Sequence, residues 1–199
     1  MTDTILYDFG AVIMDWNPHY LYDEYFQDKN KSEWFLSNIC TGTWNSQMDA
    51  GKPLAQGTEE LVAKYPEWEK EIRMYYGEWT RMIPGCIHGM VDFVRDFKKR
   101  GFKSYGLSNW SAETFSWVKN KFPVFSLLDG IQLSGDIKIN KPDPRFFELA
   151  IDQFGLIPEN CVFIDDNPAN LEGAARFGIR GIRFRNADQA RAEMENILK

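Results

Sequence analysis

The sequence has no Cys-x-x-Cys pair, and its three cysteines, Cys40, Cys86 and Cys161, stand far apart. That spacing argues against both a disulfide framework and a zinc site. Cys161 opens an apolar run and reads as a core residue. Nowhere do about 18 apolar residues run together, so no membrane helix is predicted. No basic segment at the N-terminus leads into a long apolar stretch either. Positive charge is in deficit: the net charge of −6 argues against a nucleic-acid surface, which needs clustered Lys and Arg to meet phosphates. The one basic run, Lys98-Lys99-Arg100, closes an amphipathic helix, where cations suit the helix dipole. Internal repeats and low-complexity segments are also missing. What remains is a globular chain expected in the cytoplasm, with neither nucleic acid nor membrane as partner. Its 199 residues, 44% hydrophobic and 26% charged, suit one domain with a modest insertion.

The stretch that organises this chain is Thr4-Ile5-Leu6-Tyr7-Asp8-Phe9-Gly10-Ala11-Val12-Ile13, an apolar run broken by one carboxylate. Such a run reads as a strand buried on both faces, as in a parallel sheet covered by helices. Asp8 falls where that strand should end, and a carboxylate there needs a metal or a cation beside it. Residues 19–83 change composition, with many Tyr, Trp, Phe, Asp and Glu and helical spacing in Tyr20-Leu21-Tyr25-Phe26 and Leu61-Val62-Tyr65. Thr58 before Glu59-Glu60 reads as a helix start. The aromatics here read first as the insert's own core.

From Pro84 onward strands and helices alternate. Met90, Val91, Val94 and Phe97 predict a helix ending at Arg100-Gly101, with His88 on it as a structural residue. A strand follows over residues 102–107, a helix capped by Ser111, and a weaker strand over 125–133. Asp143-Pro144 and Asn167-Pro168 each start a helix, the first stopping at Gly155, and Cys161-Val162-Phe163-Ile164 and residues 179–184 are strands. This alternation predicts α/β architecture: a Rossmann-like parallel sheet with helices on both faces, built from residues 1–15 and 84–199. A helical insert, residues 16–83, would sit above the sheet's carboxyl edge, where open α/β sheets bind ligands.

At that edge the pattern would gather Asp8, Ser108-Asn109, Lys141 and Asp165-Asp166. These supply a nucleophile, a hydroxyl donor, a compact cation and a cage for a divalent metal. Phosphoryl transfer needs such a set: a carboxylate attacks phosphorus, a metal held by carboxylates removes the repulsion between two anions, and donors stabilise the transferring oxygens. Two adjacent acids at a strand end repel each other, which is itself a sign of metal.

These four segments resemble the motifs of the haloacid dehalogenase superfamily of phosphatases: residues 5–13, Leu107-Ser108-Asn109, Lys141-Pro142-Asp143-Pro144, and Phe163-Ile164-Asp165-Asp166-Asn167-Pro168-Ala169-Asn170. The resemblance implies Asp8 as nucleophile, Ser108 and Lys141 as phosphate binders, and a Mg²⁺ site of Asp8, Asp165, Asp166 and the Gly10 carbonyl. It also implies a helical cap that closes over a small phosphorylated metabolite. Asn109 either touches substrate or serves the loop backbone. One departure stands out: the family's phosphatases usually carry an acid two residues after the nucleophile, and here that residue is Gly10. Members with Asp-x-Gly nevertheless include sugar-phosphate phosphatases. Asp15 and His19 are near enough in sequence to substitute, although Asp15 suits a turn and His19 a surface position.

Other classes remain open at this point. A metal-independent 2-haloacid dehalogenase would also lack the second acid, but not carry Asp165-Asp166. A receiver domain has its acid pair first and its lysine last, the reverse of the order here. A protein that binds phosphorylated ligands with little turnover fits Gly10 as well. The expected activity is Mg²⁺-dependent hydrolysis of a small phosphomonoester, with Trp34, Trp44, Trp68 and Trp79 of the aromatic cap choosing it.

Overall fold

The structure, a computed structural model, describes residues 2–199. Five parallel strands, β1 (Thr4–Tyr7), β4 (Lys103–Ser108), β5 (Gly130–Leu133), β6 (Cys161–Asp165) and β7 (Arg180–Arg183), form a sheet in the order β5-β4-β1-β6-β7. The alternating side chains of β1 reach both layers. Ile5 and Tyr7 join a core with Phe93 and Phe97 of α6 (Met90–Lys99) and Met194 of α11 (Ala187–Ile197). Leu6 packs with Phe146 and Phe147 of α9 (Pro144–Phe154) and Ala174 of α10 (Pro168–Ala175). Helices therefore cover both faces, as the apolar strand runs predict. Among the described residues no helix is long and apolar enough to cross a membrane.

Register sets what the carboxyl edge presents. Tyr7 lies opposite Gly106 on one side and Ile164 on the other. Asp8 and Asp165 therefore each follow a paired residue directly, Ser108 lies two beyond Gly106, and the Asp8 amide donates to the Ile164 carbonyl at 2.9 Å. Beyond Asp8 the chain turns sharply: the Phe9 carbonyl accepts from the amides of Val12, Ile13 and Met14, and Ala11 takes a left-handed φ of 58°. The turn delivers β2 (Met14–Asp15), which pairs antiparallel with β3 (Gly85–Cys86). Between those two short strands lie five helices: α1 (His19–Phe26), α2 (Lys29–Asn38), α3 (Gly42–Asp49), α4 (Leu54–Lys64) and α5 (Glu69–Gly77). The inserted chain thus leaves and rejoins the sheet at one paired point.

Several local expectations hold in detail. Asp143 and Asn167 accept backbone amides as N-caps of α9 and α10, each with proline at the first helical position, and Gly155 ends α9 in the left-handed conformation. Others are corrected. Thr58 does not start a helix; it lies mid-α4, its hydroxyl donating to the Leu54 carbonyl, and the start at Leu54 is capped from afar by the Glu113 carboxylate. Residues 123–127 form a 3-10 turn, so β5 is only the end of the strand expected over 125–133. His88 stands in the turn before α6, not on the helix. Ser111 precedes α7 (Ala112–Val118), but its side chain makes no capping bond.

The centre of the sheet leaves no slack above Gly106. A Cβ there would come within 2.2 Å of Phe9 Cζ, and Phe9 is itself fixed among Trp110, Phe115 and Phe125. Gly106→Ala is therefore expected to lose about 1–3 kcal/mol by overpacking. Urea unfolding measures it, and an unchanged midpoint would show that the ring moves freely.

Candidate functional site

Lys141 precedes α9 and has its side chain wholly buried. Its ammonium donates to the Leu107 carbonyl of β4 at 2.7 Å and to Asp165 Oδ2 of β6 at 2.8 Å, and pairs with Asp8 Oδ1 at 3.0 Å. An ammonium carries three donors, so all three are engaged. It also lies 5.0 Å from the centre of the Phe163 ring. The backbone of Lys141 is fixed by Asn109, whose Oδ1 accepts the Lys141 amide at 2.8 Å and whose Nδ2 donates to the Lys141 carbonyl at 3.0 Å. Both ends of the Asn109 amide are thus occupied by loop backbone. Ser108, at the end of β4, is buried beside this junction.

Asp165 is held from a second direction. Its Oδ1 accepts the Asn167 amide at 2.8 Å, and the Asn170 side-chain amide lies 3.1 Å and 3.0 Å from its two oxygens. Asp166 is more open than its neighbour. One carboxylate oxygen from each of Asp8, Asp165 and Asp166 falls within 4.8 Å of the others, a spacing that suits a hard cation with oxygen ligands. Three carboxylates against a single ammonium leave two negative charges at this end of the sheet if all are ionised. The donor set therefore fits a divalent cation such as Mg²⁺, with Asp165 anchored by its neighbours and Asp8 and Asp166 nearer the opening.

Burial pushes the Asp8 carboxyl up from its usual range against the pull of Lys141, while the charge of Asp165 adds to the rise. Burial would favour a neutral lysine, but Asp8 and Asp165 outweigh it and raise the Lys141 pKa. Asp166 is raised by burial first and by Asp165 second.

Beside this cluster lies a small open-mouthed cavity of about 60 Å³, lined by Gly10, Asn109 and Trp110 from the sheet side and by Trp16, Asn45, Asp49 and Trp79 from the inserted chain. Of the four tryptophans assigned to substrate choice, Trp79 alone is on that wall. Trp68 packs against Phe26 of α1 and Phe35 of α2, the half-exposed Trp34 lies tilted against Trp68, and Trp44 donates its indole N–H to the Gly57 carbonyl within the insert. Sequence reasoning missed Asn170, Asn45, Asp49 and Trp16. Asn170 had a signal, five residues after Asp165 and inside the first turns of α10. Asn45 and Asp49 had one too, a four-residue spacing that puts both on one face of α3. Asp15 and His19 are engaged elsewhere: Asp15 accepts the Tyr20 hydroxyl, and His19 pairs with Asp23 and Glu33.

The family model for haloacid dehalogenase-like hydrolases matches residues 31–178. The chain belongs to this family. Two curated relatives of this hydrolase align over nearly whole chains: the sesquiterpene phosphatase astK of Aspergillus oryzae, 24% identical over 97% of this chain and 95% of that one, and the D-ribitol-5-phosphate phosphatase of Bacteroides thetaiotaomicron, 22% identical over 100% and 99%. Other relatives match locally, and the chain spans only 10–45% of their lengths; one is the (S)-2-haloacid dehalogenase 4A of Burkholderia cepacia, 33% identical over 47% of this chain and 41% of that one. The crystal structure of a family enzyme from Bacteroides thetaiotaomicron, in complex with magnesium and inorganic phosphate, superposes with a TM-score of 0.71 at 21% identity, covering 94% of this chain and 96% of that one. At that identity the likeness establishes the shared fold.

If Lys141 is the counter-charge that permits two buried carboxylates here, its removal should unfold the protein easily. Lys141→Met, measured by urea unfolding in the presence of chelator, is expected to lose about 3–5 kcal/mol. A loss under about 1 kcal/mol would mean that Asp8 and Asp165 do not depend on it.

Proposed function

We propose that this hydrolase cleaves a small phosphomonoester, with sugar phosphates as the leading substrate class, through an aspartyl phosphate on Asp8. The observation that carries the reading is the convergence of Asp8, Ser108, Lys141 and the Asp165-Asp166 pair at one sheet edge. Asp8 is the nucleophile: it is the carboxylate that ends β1, and Lys141 both aims it and favours its ionised form. Ser108 and Lys141 face the transferring phosphoryl oxygens with a hydroxyl and a positive field, and Asn109 positions Lys141. Asp8, Asp165, Asp166 and the Gly10 carbonyl hold Mg²⁺, whose charge offsets the repulsion between carboxylate and phosphate. Residues 1–15 and 84–199 form the catalytic core in this reading, and residues 16–83 the cap that excludes water from it. The two phosphatase relatives that align over nearly whole chains support phosphate esters as substrates, and one of them acts on a sugar-alcohol phosphate by name. Attack on carbon in a 2-haloacid would use the same Asp8, but two surplus negative charges beside it would repel a carboxylate substrate unless a cation were bound.

The test is release of inorganic phosphate from a panel of sugar phosphates and an aryl phosphate, with Mg²⁺ and with chelator, for the wild type and Asp8→Asn. Release requiring both the metal and Asp8 is expected, with the Asn variant at background. Halide release from a 2-haloacid in chelator, without phosphate release from any ester, would replace this reading with dehalogenation.

A further inference from the structure

We infer that Asp49, carried by the insert, is the acid–base residue of this reaction, taking the place left empty at Gly10. The inference rests on the phosphatase reading above and adds a residue to it. Four observations on the cavity wall support it. A Cβ built at Gly10 meets nothing within 4 Å, so the space an acid would fill there is open to the cavity. Asp49 is the one carboxylate among the lining residues of that cavity. No lysine or arginine among the described residues forms an ion pair with it. And it is held still: Oδ1 accepts the Ser111 amide at 3.1 Å, and Oδ2 accepts Asn45 Nδ2 at 2.8 Å, while Asn45 Oδ1 accepts the Tyr76 hydroxyl at 2.9 Å. The Asp49 carbonyl in turn accepts Ser134 Oγ at 2.5 Å, and Asn140 donates to the Ser46 carbonyl at 2.8 Å, so the end of α3 is fastened to the core on two sides.

A carboxyl shielded from water and lacking a cation favours its neutral form. Burial pushes Asp49 up to about 7, against the Ser111 amide, and the charge of Asp8 adds to the rise. The other titratable groups facing it are the phenols of Tyr75 and Tyr76, both held neutral well above their usual range by burial. At neutral pH such a group can both give and take a proton.

A carboxylate oxygen of Asp8 forms a bond to phosphorus, the bond to the ester oxygen breaks, and that oxygen keeps the electron pair and takes the Asp49 proton, leaving as an alcohol. Water then attacks the aspartyl phosphate and gives a proton to the Asp49 carboxylate. The phosphorus–Asp8 bond breaks, which restores the Asp8 carboxylate and the Asp49 acid and frees phosphate.

The test compares wild type and Asp49→Asn on a sugar phosphate, whose alkoxide must be protonated, and on p-nitrophenyl phosphate, whose leaving group needs no proton. With the sugar phosphate kcat/KM should fall about 10²–10⁴-fold. With the aryl ester the variant should still give a rapid burst of one nitrophenolate per enzyme, followed by slow turnover. The fall of wild-type kcat/KM above about pH 7 should vanish in the variant. Adding Gly10→Asp to Asp49→Asn should restore sugar phosphate hydrolysis. Full sugar-phosphate activity in Asp49→Asn overturns the inference, and so does a loss that is equal for both esters, burst included, and that Gly10→Asp does not rescue. If wild type releases phosphate from neither ester, the phosphatase reading itself has failed; if it releases phosphate and the variant behaves as wild type, only the role of Asp49 has.

Discussion

The buried ammonium of Lys141 is the constraint on which the rest of the site depends. It ties together the end of β1 through Asp8, the end of β4 through the Leu107 carbonyl and the end of β6 through Asp165. Three neighbouring strands thus end on one cation. Removing a single partner would leave a charge in an apolar interior, which costs far more than a surface ion pair contributes. The cost explains why so much backbone is committed to the lysine: Asn109 grips it from the β4 loop at both amide and carbonyl, and Asn170 and the Asn167 amide hold Asp165 in place to receive it. The ammonium neutralises one carboxylate of three, and that incompleteness is why the edge suits a cation.

The same edge dictates how the insert is attached. Hydrogen bonds gathered on the Phe9 carbonyl turn the chain directly after Asp8, and β2 pairs with β3 so that departure and return share one base. The insert then returns to the core at a second place, the end of α3. There Gly51 takes a φ of +89°, and a Cβ on it would come 2.9 Å from Lys138 Cγ and 3.1 Å from the Gly135 carbonyl. Only a glycine gives both that backbone conformation and that closeness. Asp49 stands two residues before it. The contact that seats the insert is therefore also the contact that sets a carboxyl over the cavity.

The sheet, its covering helices and the caps of α9 and α10 were legible because each depends on local pattern: apolar runs, Asx-Pro pairs and a glycine stop. The gathering of Asp8, Ser108, Lys141 and Asp165-Asp166 was legible for a different reason, since a parallel sheet brings all strand ends to one edge whatever the loops do. The insert was harder to read. Thr58 looks like a cap beside Glu59-Glu60, yet α4 starts four residues earlier because Glu113, distant in sequence, caps Leu54. Its aromatics read first as the insert's own core, and Trp44 and Trp79 are buried there because five short helices need large side chains to bury enough area between them, whereas Trp34 stays half exposed. Asp49 carried no motif, and its importance comes from what surrounds it in space, two chain segments that the sequence separates by about sixty residues.

An acid carried on the insert rather than on β1 changes what closure can do. An acid two residues after the nucleophile would be fixed to the core and present whether or not the insert were seated. Asp49 is held by bonds that cross between insert and core, from the Ser111 amide and from Ser134 Oγ, so its place in the cavity wall depends on those bonds. Its raised affinity for a proton has the same origin, because the burial that favours the neutral acid is supplied by the seated insert together with the charge of Asp8. A separated insert would leave Asp49 in water as an ordinary carboxylate, ionised at neutral pH and unable to protonate a leaving group. With Asp49 as the proposed acid, protonation of the leaving group would require the seated insert, a dependence that an acid fixed on β1 would not impose.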